Sequence, residues 1–276
     1  MSEPPLSEPE LVVVPDLDAL ASEAAERIAT ALADSVPARG RADWATTGGS
    51  TMPAIYRRLA AQPLRDMVPW HAIHVWWGDD RYVPRDHPLS NVKPLDDILL
   101  ASAYTEGGQL GMGTAGAPTP VPLPMDNLHP FPTTIAIGGA HGAAWCAAEL
   151  ATELYAAGLE RAGDWPIFDL VVVGIGADGH LLSVFPGSAA LESGDLALAI
   201  PAPTHIEPHV ERVTLNPAVL GVARQVLVVV SGAGKASILA DIFGTERDPS
   251  RWPAQLARRA GTTWIVDSAA AERLGR

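Results

Sequence analysis

A histidine two residues beyond an aspartate, Asp178-Gly179-His180, is the pairing in this sequence best suited to moving a proton at neutral pH. It follows Leu170–Val173, an unbroken apolar run that is too short for a helix and ends at Gly174. That pattern predicts a buried parallel strand. Gly174, Gly176 and Gly179 let the chain turn sharply there and approach a ligand closely. In open α/β sheets, ligands bind at this C-terminal edge. Three other polar turns also follow predicted strands. Gly48-Gly49-Ser50-Thr51 leads into a helix, where its amides and hydroxyls can hold an anion or simply cap the helix. Ser231-Gly232-Ala233-Gly234-Lys235 also opens a helix, and its lysine is either a phosphate contact or an exposed side chain on an ordinary turn. Asp79-Asp80-Arg81 can orient a polar substrate or form a solvated ion-pair cluster.

Several better-known motifs are approached and missed. Gly174-x-Gly176-x-x-Gly179 has the dinucleotide spacing, but Asp178 puts negative charge where a pyrophosphate would lie, and Pro186 stops the segment before a proper helix forms. The lysine turn fails as a nucleotide-triphosphate loop. Val229 stands in place of its first glycine and Ala236 in place of the magnesium-holding hydroxyl. His205 and His209 flank Pro208, which prevents a regular helix from putting both imidazoles on one face, so no metal site is expected. No G-x-S-x-G elbow occurs, and Cys146 falls inside a helical pattern, which leaves a covalent acyl-enzyme without support.

The elements around these turns alternate. Strands are predicted at Leu11–Val14, Trp44–Thr47, Ile73–Trp77, Leu170–Val173, Leu196–Ile200, Arg212–Leu215, Val226–Val230 and Trp264–Val266. Helices are predicted after an Asp16 cap (with Leu17, Leu20, Ala24, Ala25, Ile28 and Leu32 on one face), over Ile55–Ala61, Pro94–Ala103, Ala143–Arg161, Pro217–Ala223 and Ala236–Ile242, and after a Ser268 cap. The result is an α/β class: a doubly wound, mostly parallel sheet with helices on both faces. Residues 1–10 read as a disordered acidic, Pro-rich tail, and residues 11–276 as a single domain. A Gly/Pro-rich loop or lid is expected at about 107–132.

The net charge of −13, with no basic run, argues against nucleic acid as a partner. It also means that an anionic ligand would need local cations and amides to overcome the overall field. No apolar run is long enough to cross a bilayer, the N-terminus lacks a secretory pattern, and the lone Cys146 excludes an intrachain disulfide framework. A cytoplasmic protein is the expectation.

Taken in order, GGST, DDRYVP…SN, FDLVVVGIGADGH…FPGS and RVTL…SGAGK resemble the 6-phosphogluconolactonases, within the wider family that includes glucosamine-6-phosphate deaminase. The resemblance runs from about Leu11 to the last helix, and GADGH…FPG is its most specific part. It implies a Rossmann-like phosphosugar isomerase-type fold and hydrolysis of 6-phospho-D-glucono-1,5-lactone, without metal or other cofactor. The partner it implies is this small phosphosugar lactone, acted on by a monomer or small homo-oligomer. The resemblance makes His180 the base acting on water and puts Asp79 and Arg81 beside the reacting sugar as catalytic candidates; Asp178, or another carboxylate, would orient the imidazole. Gly48, Gly49, Ser50, Thr51, Asn91, Gly176, Arg212 and Lys235 become polar or phosphate contacts. This chain departs from the pattern at Asp80, where glutamate is common, at Leu181 and Leu182, where small residues are common, and in the loop at 107–132. The rival activities are the deaminase and a non-catalytic phosphosugar sensor. The deaminase has glutamate five residues after the motif histidine, where this chain has Phe185, and Asp-Glu-Tyr where this chain has Asp79-Asp80-Arg81.

Overall fold

The computed structural model describes residues 8–100, 119–244 and 246–275. In chain order the strands are β1 (Glu10–Val14), β2 (Ala42–Thr46), β3 (Ile73–Trp77), β4 (Asp79–Arg81), β5 (Leu128–His129), β6 (Arg161–Ala162), β7 (Trp165–Pro166), β8 (Leu170–Val173), β9 (Ala197–Ile200), β10 (Arg212–Leu215), β11 (Gln225–Val230) and β12 (Thr262–Asp267). The main sheet has the spatial order β1-β12-β11-β8-β2-β3-β5, and each of its pairings is parallel. Strands β4, β10 and β9 form a separate antiparallel sheet, and β6 with β7 a short hairpin.

The apolar runs account for the layering. Every residue of β2 and β8 is buried, as expected for central parallel strands covered on both faces. The helix Leu17–Arg39 begins where Asp16 Oδ1 accepts from the Ala19 amide at 2.9 Å. It buries Leu20, Ala24, Ala25, Ile28 and Leu32 and packs against β2, β8, β11 and β12. Each fully buried Leu or Ile there contributes roughly 1.5–3 kcal/mol. Leu17, assigned to the same face from sequence, is exposed.

Two features of the topology create the site. From β2 the chain winds toward β3 and β5, and from β8 it winds the other way, toward β11 and β12. The adjacent ends of β2 and β8 therefore form a switch-point crevice, where open α/β sheets receive ligands. The small antiparallel sheet is joined at that same end. The Gly78 amide, between β3 and β4, donates to the Thr46 carbonyl at 2.8 Å, and the Leu215 amide of β10 donates to the Gly78 carbonyl at 2.7 Å.

The structure revises several boundaries. Glu10, assigned to the tail, belongs to β1, where its carboxylate accepts from Arg27 and from Thr263 Oγ1 at 2.8 Å; residues 1–7 lie outside the described part. The Pro94–Ala103 helix is Lys93–Ile98, and its last expected residues, from 101, lie outside the described part. The Ala143 helix stops at Ala156, because Arg161–Ala162 turns back as a hairpin. Of the expected 107–132 loop, residues up to 118 lie outside the described part, and the remainder supplies the edge strand β5. The last turn is capped by Asp267 Oδ1, which accepts from the Ala270 amide at 2.8 Å, while Ser268 Oγ donates to the Val14 carbonyl. Strand β12 lies inside the sheet, with β1 at the edge. No helix among the described residues is long and apolar enough to cross a membrane.

Candidate active site

At the switch point lies a cavity of about 240 Å³. Strand β2 delivers Thr47, Gly48 and Gly49 to it, β4 delivers Asp79 and Arg81, and the turn after β8 delivers Gly174, Gly176, His180 and Leu182. Asn91, Ile206, Arg212 of β10 and Lys235 from the turn after β11 complete the walls. Of the residues singled out from sequence, Ser50 and Thr51 are not among these walls, and Asp178 stands just behind them. A larger hollow of about 360 Å³ opens at the opposite end of the sheet, but Glu23, Glu26 and Asp34 line it and give it the wrong sign for an anion.

His180 is held from two sides. Its Nδ1 lies 2.6 Å from Asp178 Oδ1, which leaves Nε2 as the nitrogen for the cavity. The tilted Phe185 ring packs 4.7 Å away, centroid to centroid. The opposite contact is backbone. A Cβ on Gly176 would collide with Nδ1 and Cε1 of His180 and with Oδ1 of Asp178, so only glycine leaves room for the pair. Burial alone would raise the Asp178 carboxyl, but hydrogen bonds and charge from His180, and a hydrogen bond from His205, outweigh it and hold the group well below the usual carboxylate range. Asp178 is thus anionic whenever the imidazole is called on to gain charge.

The opposing wall is cationic and incomplete. Arg81 and Arg212 are direct cross-strand partners in the small sheet, where like charges repel. Arg212 is only 3% exposed, and burial, then the Arg81 charge, push its guanidinium down from the usual value. Arg81 donates to the Leu89 carbonyl at 2.7 Å and Arg212 to the Pro208 carbonyl at 3.1 Å, yet the Nε of each is buried without a partner. Lys235 Nζ donates to the Ile175 carbonyl at 2.8 Å, and burial lowers its ammonium as well. Among the described residues, none of the three makes a salt bridge. A buried donor left unmade costs about 1–3 kcal/mol, and more when charged; two of the three cations carry such a donor, and the cationic wall they form with Lys235 can receive an anion.

Asp79 supplies the polar floor. Its Oδ2 accepts from Ser183 Oγ at 2.7 Å, and its Oδ1 accepts from Asn91 Nδ2 at 3.2 Å. Asn91 Oδ1 is buried without a partner, and its amide fits only because Gly48 has no side chain there. Asp80 points elsewhere. Its Oδ1 accepts the Arg81 and Asn91 amides at 2.8 and 2.7 Å, and its Oδ2 accepts from Ser90 Oγ at 3.1 Å. Asp80 is fully buried, and this pushes its carboxyl up to about 7. It fixes the loop that carries Asn91. Within the glycine turn, the Gly176 amide donates to the His180 carbonyl and the Gly179 amide to the Gly176 carbonyl, so neither is free for a ligand.

Sequence reasoning missed Ser183, Ile206 and the position of His205. Ser183 carries no distinguishing signal within the central motif. In the sequence His205 pairs with His209, but the structure separates them: His205 Nε2 lies 2.8 Å from Asp178 Oδ2, and His209 Nδ1 lies 2.7 Å from the Pro203 carbonyl. Among the described residues, no group of three or more His, Cys, Asp or Glu side chains is placed to hold a metal ion.

Comparison with known proteins adds a second line. The family described as "Glucosamine-6-phosphate isomerases/6-phosphogluconolactonase" matches residues 15–265. A protein of Synechocystis sp. named 6-phosphogluconolactonase is 33% identical over 267 residues, covering 96% of this chain and 98% of its own. The solved 6-phosphogluconolactonase of Trypanosoma brucei superimposes with a TM-score of 0.78 at 26% identity, covering 97% of this chain and 99% of its own. A monomeric glucosamine-6-phosphate deaminase reaches a TM-score of 0.70 at 15% identity, covering 96% and 99%, and shares the fold.

Proposed function

Because this chain belongs to the glucosamine-6-phosphate isomerase/6-phosphogluconolactonase family, we propose that its switch-point cavity hydrolyses 6-phospho-D-glucono-1,5-lactone to 6-phosphogluconate, with His180 as general base and no metal. The observation that carries this reading is the meeting of two opposed features in one cavity. They are an imidazole backed by an anionic carboxylate, and three cations that make no salt bridge among the described residues.

A δ-lactone is a strained ester that water attacks without help, so no covalent nucleophile is required. His180 Nε2 takes a proton from the attacking water while its Nδ1–H stays on Asp178, whose negative charge stabilises the imidazolium. The oxygen of that water bonds to C1, and the carbonyl becomes an oxyanion. With the Gly176 and Gly179 amides occupied, the oxyanion donor is the guanidinium of Arg81, which lines the cavity. The C1–ring oxygen bond then breaks, and the imidazolium returns its proton to the departing oxygen. Arg212 and Lys235 hold the phosphate, so that binding far from C1 orients the ester. Asp79, held by Ser183 and Asn91, accepts from a sugar hydroxyl. Phe185 separates this site from the deaminase pattern. It packs on the histidine as an apolar ring and offers no carboxylate for ring opening.

The test is a lactonase assay run beside a deaminase assay, with and without a chelator. His180→Gln should lower kcat by about 10²- to 10⁴-fold with KM little changed. Near-normal turnover in that variant removes His180 as the base, and loss of activity on chelation removes the metal-free step.

A further inference from the structure

Asp178 serves two imidazoles. His180 Nδ1 takes its Oδ1 at 2.6 Å, and His205 Nε2 takes its Oδ2 at 2.8 Å. The mechanism above uses only the first. His205 comes from the connection between β9 and β10, far along the chain from the motif turn, and its side chain is half exposed. The same connection puts Ile206 into the cavity wall and supplies the Pro208 carbonyl that holds Arg212. Phe185 stands between the rings, with its centroid 4.7 Å from His180 and 5.6 Å from His205.

We infer that His205 is a positioning residue for the reaction: by donating Nε2–H to the outer oxygen of Asp178, it fixes the carboxylate plane and sets how strongly that carboxylate supports His180. The inference rests on the reading of His180 as base. An aspartate whose outer oxygen is free rotates readily about its last torsion, which has broad wells. A donor on each oxygen removes that freedom and keeps Oδ1 on the His180 N–H. The second donor also draws charge from the carboxylate and lowers the proton affinity that Asp178 confers on His180. The other charges facing this pair are Lys235, whose ammonium acts on Asp178, Arg212 beyond Phe185, and Arg81 and Asp79 across the cavity. None of these residues is itself changed when His205 is replaced. One link also ties the loop to the reacting centre, so the wall containing Ile206 is seated when the base is aligned.

Two substitutions separate the hydrogen bond from mere packing. His205→Leu removes the donor, whereas His205→Gln places an amide N–H near the position of Nε2. For the leucine variant, kcat on the phosphorylated lactone should fall about 10-fold with KM changed less than about 3-fold, as expected for a misaligned base. The acid limb of its kcat/KM profile should move up, because Asp178 then keeps the charge it had shared with a second donor. The glutamine variant should recover most of kcat and the wild-type limb. In the His180→Gln background, His205→Leu should change nothing further. A leucine variant with wild-type kcat and pH profile overturns the inference, and so does a glutamine variant as impaired as leucine. If His180→Gln is itself active, the base assignment fails instead, which keeps the two failures distinct.

Discussion

Asp80 is buried, accepts two backbone amides and a serine hydroxyl, and yet is pushed up to about 7 by the loss of water around it. An unfolded aspartate titrates near 3.8. The folded protein therefore holds a proton on this group, between about pH 4 and pH 7, that the unfolded chain releases. Stability from this group is fully present below about pH 4 and is lost as the pH rises through about 7. At about 1.4 kcal/mol per tenfold change in proton affinity, the total is roughly 4 kcal/mol. Asp80→Asn keeps an oxygen on the Arg81 and Asn91 amides, and Ser90 Oγ can turn to accept from the new amide, so the loop is retained without the ionisable group. Urea unfolding of both proteins across this range isolates the effect, because other titrating groups cancel in the difference. The asparagine variant should gain on the wild type as pH rises, by a few kcal/mol at pH 7.5. Its turnover should stay close to normal, since Asp80 does not line the cavity. A stability difference independent of pH, or a wild type that is the more stable at pH 7.5, refutes this account of Asp80.

Other substitutions probe the cavity itself. Gly176→Ala should cut kcat by about 10²-fold or more in steady-state assays, because a methyl group there displaces both His180 and Asp178, and misplacement by about 1 Å has that effect. Retention of near-normal kcat would mean that the pair is not held where the structure puts it. Arg212→Met and Lys235→Met should mainly raise KM for the phosphorylated lactone, leaving hydrolysis of unphosphorylated gluconolactone little affected. Unchanged discrimination between the two esters removes these residues from the phosphate site.

How much of this was legible in the chain differs between fold and site. The α/β alternation and the parallel core followed from local pattern: Leu170–Val173 and Val226–Val230 are apolar because both faces of those strands are covered. Asp16 announced its helix through its capping carboxylate. The Ser268 cap failed because a neighbouring aspartate reached the same amide, a competition that sequence does not rank. Strand β5 is two residues long, and its pairing with β3 shows only in the assembled sheet.

The sequence by itself determined which groups are present and that they follow strands, since glycine turns and capping residues act over a few neighbours. It also determined, through His180 and Asp178, that an imidazole and a carboxylate lie within one turn. Only the tertiary structure decided that Arg81 faces Arg212 across two short strands, that Ser183 holds Asp79, and that His205 reaches Asp178. Those contacts join residues distant in the chain, and their geometry depends on strand register and on where the winding of the sheet reverses.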